Sequence, residues 1–250
     1  MLLSISLITA QSSWKKLDLE SIAFKSKKTS FIKHMPKEYN MYSLDVEDLK
    51  NKLTSQNKGG VKTIMLPNND DEISEFLIKE TSYFTEPLSP KFGFIKSYTI
   101  QNRKDKSSTG KISIGTDGVH ITIYSGKKPT FYIDPYTKNN RNYISYSRSS
   151  LTRKDAEFEC RVKENLTNVS SKPNVASKNA NDGKLRTFRL ALACTGEYAK
   201  YHTDIQGVSS ETETVRRAAV LSAMNTTMTR VNGLFERDLA VRMNLSLIHI

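Results

Sequence analysis

In GKISIGTDGVHITIY, residues 110 to 124, two segments of alternating apolar and polar residues meet at Thr116-Asp117-Gly118. A period of two belongs to strands, and glycine accepts the positive φ that a tight turn needs, so the stretch predicts a β-hairpin. The flanks continue the pattern. VKTIMLP, ISEFLIKE and FGFIKSYTI precede the hairpin, the third of them after the turn-forming Pro87 and Pro90, and the aromatic-rich PTFYIDPY and NYISYSR follow it. Seven short strands separated by turns predict a mostly antiparallel β domain over 61–148, with 160 as its outer limit. Upstream, 11–60 reads as a segment with one short helix, DVEDLKNKL. There Asp45 caps, Val46, Leu49 and Leu53 recur at helical spacing, and Gly59 and Gly60 end it.

The pattern then breaks. Between 163 and 184 only Leu166 and two valines are large and apolar, too little to offset the entropy of ordering the chain, so 161–184 is read as a linker. Its Lys178 and Lys184 are candidate sites for proteolytic nicking. A second regime starts at Leu185. In LRTFRLALACTGEY, Phe188, Leu190 and Leu192 fall on one face and Ala191 and Ala193 on the other, as in a strand covered on both sides. A polar loop is expected next, then a long helix capped by Ser209 or Ser210, with acidic residues in its first turns. Val220, Met224, Met228, Val231 and Phe235 make its apolar stripe, and the methionines are read as core packing. AVRMNL is a second strand. Strand, helix, strand is a βαβ crossover with parallel strands. The fold class is therefore α+β: an antiparallel β domain followed by the first βαβ unit of an α/β domain. One such unit leaves open edges and an uncovered face, so more sheet is expected to follow.

The chain has 250 residues, enough for one large domain or two small ones. Its formal net charge of +12 would suit an acidic partner. The basic residues are spread along the chain with no arginine-rich helix, Cys/His finger or RNP-like strand, so a solvated basic surface is the preferred reading and no nucleic-acid partner is expected. MLLSISLITA, residues 1 to 10, looks like the back half of a secretory signal peptide cleaved after Ala10, although its basic n-region is missing. Export is expected, with no membrane span, since no other run approaches the ~20 apolar residues one needs. His34, His120, His202 and His249 stand alone in sequence, each without a Glu or a second His at ligand spacing, so each is read as a surface or satisfied histidine.

RTFRLALACTGEYAKYH and MNTTMTRVNGLFERDLAVRM resemble the opening of the catalytic domain in bacterial reprolysin-like zinc metallopeptidases of the metzincin group. SYFTEPLSPKFGFIKSYTI, GVHITIYSG, TFYIDPY and NYISYSRSSL resemble the propeptide region of the same secreted precursors. The resemblance implies a β-rich propeptide domain over 61–160 and the start of a metallopeptidase domain over 185–244. In the whole enzyme it implies a zinc ion, a peptide or protein substrate, and hydrolysis by zinc-activated water. The family's H-E-x-x-H-x-x-G-x-x-H run is absent from this sequence. No catalytic or metal-ligating residue is therefore assigned, and the chain is expected to be an inactive N-terminal fragment without cofactor. Its last six residues, LSLIHI, resemble the translation of CTG TCT CTT ATA CAC ATC, the end of a transposon adaptor. On that reading Leu245 to Ile250 are adaptor-derived, and otherwise they extend the last strand.

Two cysteines remain, Cys160 and Cys194. The resemblance to a zymogen makes Cys160 a possible inhibitory zinc-binding thiol. An oxidising compartment favours a Cys160–Cys194 disulfide instead, and a buried, inert thiol is the third reading. The rival functional expectation is a secreted basic binding module that contacts a polyanion or glycan through exposed Tyr132, Tyr136, Tyr143 and Tyr146.

Overall fold

A computed structural model describes residues 12–18, 35–54, 62–84, 92–151 and 182–246. The expected leader, Gly59 and Gly60, Cys160, nearly all of the expected linker, His34, His249 and residues 247–250 lie outside the described residues. In chain order the first elements are β1 (Trp14–Leu17), β2 (Asn40–Leu44), α1 (Val46–Thr54), β3 (Thr63–Pro67), β4 (Ile73–Glu80) and β5 (Lys96–Asn102). β6 (Thr109–Gly115), β7 (Gly118–Tyr124), β8 (Phe131–Pro135) and β9 (Asn142–Ser147) follow. The nine strands form one antiparallel sheet in the order β1-β2-β9-β8-β7-β6-β5-β4-β3.

The hairpin is β6–β7. Gly115 pairs with Gly118, whose φ of 103° only glycine adopts without strain. α1 forms where expected, with Asp45 Oδ1 accepting a hydrogen bond from the Asp48 amide at 3.0 Å and Leu49 and Leu53 buried. The strand in FGFIKSYTI begins only at Lys96, because a turn occupies the residues just before it. Two further strands join the sheet. β1 and β2 lie in the stretch read as holding only a helix, so the sheet reaches upstream of residue 61. WKKL and NMYSL are too short for alternation to stand out, and pairing of Trp14 with Leu44 and of Tyr42 with Tyr143 fixes them in the sheet.

Edge strands β1 and β3 approach each other, so the sheet curls toward closure. Lys16 of β1 pairs with Asp71 in the β3–β4 turn, and Tyr42 Oη donates to the same carboxylate at 2.7 Å. Inside the curl lies the core, built from alternate residues such as Ile112, Ile114, Ile121 and Ile133, with Trp14 edge-on to Tyr143.

The downstream elements are β10 (Arg186–Leu190), α2 (Gly196–Gln206), α3 (Glu213–Leu239) and β11 (Val241–Leu245). β10 and β11 are parallel, with Arg186 opposite Val241, as a crossover requires. Three expectations need correction. The supposed polar loop contains α2, opened by Thr195 Oγ1 accepting from the Tyr198 amide and closed by Gly207 at φ 71°. Its buried residues are only Thr203 and Ile205, so no apolar stripe advertised it. α3 starts at Glu213 with Thr212 before it, because the hydroxyl of Ser209 is turned to the Asp204 carboxylate instead. Finally, β10 is not covered on both faces. Its residues are mostly exposed, Phe188 by 55 %, and among the described residues no strand pairs with its far edge.

Candidate functional site

Alternation sends every second side chain of β5 to β8 to the outside of the curl, where Ser97, Lys111, Ser113, His120, Thr122 and Asp134 would meet water on an isolated sheet. All six are buried. α3 lies across them, and the side it presents is also polar and small. Ser97 Oγ bonds Asn225 Oδ1 at 3.1 Å and Thr229 Oγ1 at 2.8 Å. Asn225 Nδ2 donates to Ser113 Oγ at 3.0 Å, and Ser113 in turn pairs with Thr226 at 2.9 Å. Ser222 Oγ accepts from the Thr116 amide at 3.0 Å, beyond the end of β6. Gly233 lets the helix close onto Tyr124, whose hydroxyl donates to the Arg230 carbonyl at 3.2 Å.

Two ionic clusters complete the seat. In the first, His120 Nδ1 lies 2.7 Å from Asp134 Oδ1 and its Nε2 lies 3.2 Å from Asp117 Oδ2. Thr226 Oγ1 donates to Asp117 at 3.0 Å, Tyr146 Oη donates to Asp134 Oδ2 at 2.7 Å, and the Arg230 guanidinium reaches Asp134 from α3. Burial alone would lower the imidazole's pKa. The Asp117 charge and the hydrogen bonds to Asp117 and Asp134 outweigh it and raise the value to about 9. Burial likewise opposes ionisation of Asp134, yet Arg230 and His120 hold its carboxyl far below the usual range. In the second cluster Glu236 of α3 lies 2.5 Å from Lys111 Nζ and 2.6 Å from Arg242 Nε, beside the Tyr83 ring.

No residue of α2 or α3 joins the hydrophobic clusters of the sheet, which draw on nothing beyond Tyr146 among the described residues. The helix is therefore attached largely by hydrogen bonds and charge, together with its close contact on the Tyr124 ring. Met224 and Met228 are buried, in keeping with packing, but Ser222, Asn225 and Thr229 are as deeply buried on another side of the helix. The missed signal is a second stripe, Ser222, Asn225, Thr226, Thr229, Asn232 and Gly233, at helical spacing beside the apolar one.

His120 is not isolated in space, since both ring nitrogens face carboxylates. His202 packs against the rings of Tyr198 and Tyr201. Cys194 is exposed just before α2, while Cys160 lies outside the described residues. Among the described residues no three His, Cys, Asp or Glu side chains are placed to hold a metal ion. His120, Asp117 and Asp134 do not fit zinc, because a guanidinium and a phenol already occupy the Asp134 carboxylate. The tyrosines expected to offer an exposed binding face do not do so. Tyr136 and Tyr143 are buried, and Tyr132 and Tyr146 form a cross-strand pair with ring centroids 5.4 Å apart, Tyr146 spending its hydroxyl on Asp134. No known family, curated protein or solved structure matches the chain.

Proposed function

We propose that the chain carries the propeptide and the opening catalytic segment of an exported zinc metalloendopeptidase precursor. The nine-stranded sheet is then the propeptide body, and β10–α2–α3–β11 is the start of the peptidase domain. The sequence phrases on either side of the expected linker suggest the two parts. The observation that carries the reading is the nature of the α3 seat, which is buried, hydrogen-bonded and separate from the sheet's hydrophobic core. Contacts between parts that must come apart are polar, because water can replace their hydrogen bonds at small net cost. The exposed face and edge of β10 further support a peptidase domain that is only begun here.

On this reading peptide-bond hydrolysis belongs to the complete precursor, and the 250-residue chain should neither retain zinc on dialysis nor cleave casein. The test is to read the genomic DNA past the codon for Asn244 and express the resulting precursor. An H-E-x-x-H coding run is expected, and zinc and casein cleavage should appear together in the extended chain. A downstream frame without a zinc motif, or casein cleavage by the 250-residue chain itself, would overturn the reading.

A further inference from the structure

We propose that His120, Asp117, Asp134 and Arg230 form a pH-sensitive latch that keeps α3 on the sheet while the imidazole carries its proton and frees the helix when alkaline solution removes it. The inference concerns how this chain holds itself together and does not depend on any peptidase chemistry. The four groups come from separate places: β7, the turn before it, β8 and α3. They meet with the side chains of both Asp residues and His120 at most 7 % exposed. With imidazolium and guanidinium facing two carboxylates, the charge of the cluster sums to zero. Removing the imidazole proton leaves a carboxylate uncompensated among side chains that are almost wholly buried.

Other titratable groups come within electrostatic or hydrogen-bonding range of the cluster from the neighbouring elements. β9 contributes Tyr146, which donates to Asp134, and Tyr143, whose hydroxyl accepts from the Val119 amide at 3.3 Å. α3 adds Thr226 on Asp117, and α2 brings His202 into electrostatic range of both Asp117 and His120. Burial lowers the pKa of His202, which leaves it a poor source of replacement charge.

The direction of the pH dependence follows from linkage. His120 is raised above its ordinary 6.5 to about 9, so its stabilisation is complete below the lower value and is lost as the pH climbs through the upper one. Asp134 is depressed, so its contribution is present above the ordinary carboxylate range and is lost only as the pH falls through its lowered value. Between these limits the latch is closed.

Amide hydrogen exchange, corrected for the intrinsic effect of pH, tests it on the intact chain. Protection of residues 222–232 in α3 should fall by about tenfold or more between roughly pH 6.5 and pH 10, while β6 and β7 keep theirs. His120→Gln should give a weakly protected α3 without that fall, apart from what Lys111, whose pKa burial lowers, contributes at the Glu236 end of the seat near the top of the window. A wild-type profile that stays flat, or one that persists in His120→Gln, overturns the latch. Should that variant fail to fold, NMR titration of His120 in the wild type decides instead. A ring titrating above the ordinary histidine value supports the latch, and one titrating at or below it overturns it.

Discussion

Asp134 accepts from His120, Tyr146 and Arg230 at once, and removing it strands a buried imidazolium and leaves the half-buried Arg230 guanidinium without its carboxylate. Asp134→Ala should therefore cost about 3–5 kcal/mol, read as a lower urea midpoint. Glu75→Ala, which breaks an equally well-formed pair with Arg103 on the surface, should cost less than about 1 kcal/mol because water screens it. Similar losses for the two would mean that Asp134 is not shielded as described. The sequence shows His120 and Asp134 only as unrelated residues. They become neighbours because Ile121 pairs with Ile133 across β7 and β8, which sets His120 and Asp134 side by side on the same face. That register depends on the length of the connection between the strands, and alternation alone does not disclose it.

Among the elements, strands with clear alternation and a helix with a sharp cap were legible, whereas β1, β2 and α2, which owe their form to neighbours, were not. α3 was legible as a helix and misleading as a surface, for its apolar stripe drew attention from the polar one that seats it. Gly233 marks the closest approach of that seat. A Cβ there would come within 2.9 Å of the Tyr124 ring. Alanine in an exposed helix would be better than glycine by about 1 kcal/mol. Here Gly233→Ala should instead destabilise the protein by about 1–3 kcal/mol, because the helix or the ring must shift. Thermal unfolding gives the sign, and a stabilised variant would show that α3 does not rest on Tyr124.

At the scale of the whole molecule the core lies in the curled sheet, and the downstream elements hold to its outside by polar contacts. The α+β class and the strand–helix–strand order were readable from hydrophobic period. How the two parts meet was not, since a polar face that will be buried looks in sequence like one that stays wet. Unfolding should accordingly occur in two stages. The single tryptophan, Trp14, is 4 % exposed and packs against Tyr143 in the sheet, so its fluorescence reports the sheet alone. Helical circular dichroism is dominated by the 27-residue α3. The dichroism should be lost at lower urea than the fluorescence change, and coincident transitions would mean one cooperative unit.

A second point of attachment changes what release entails. The amide of Leu245 donates to the Tyr83 carbonyl at 2.6 Å, and the Arg242 guanidinium lies over the Tyr83 ring, so the outer edge of β11 is held by the segment after β4. The downstream part thus grips the sheet twice, at the α3 seat and at this edge, and each grip keeps the other at a high local concentration, on the order of millimolar for short connections. Either can open and close again without the parts drifting away. Lasting separation then requires both to be open together, a far rarer event than the failure of either grip.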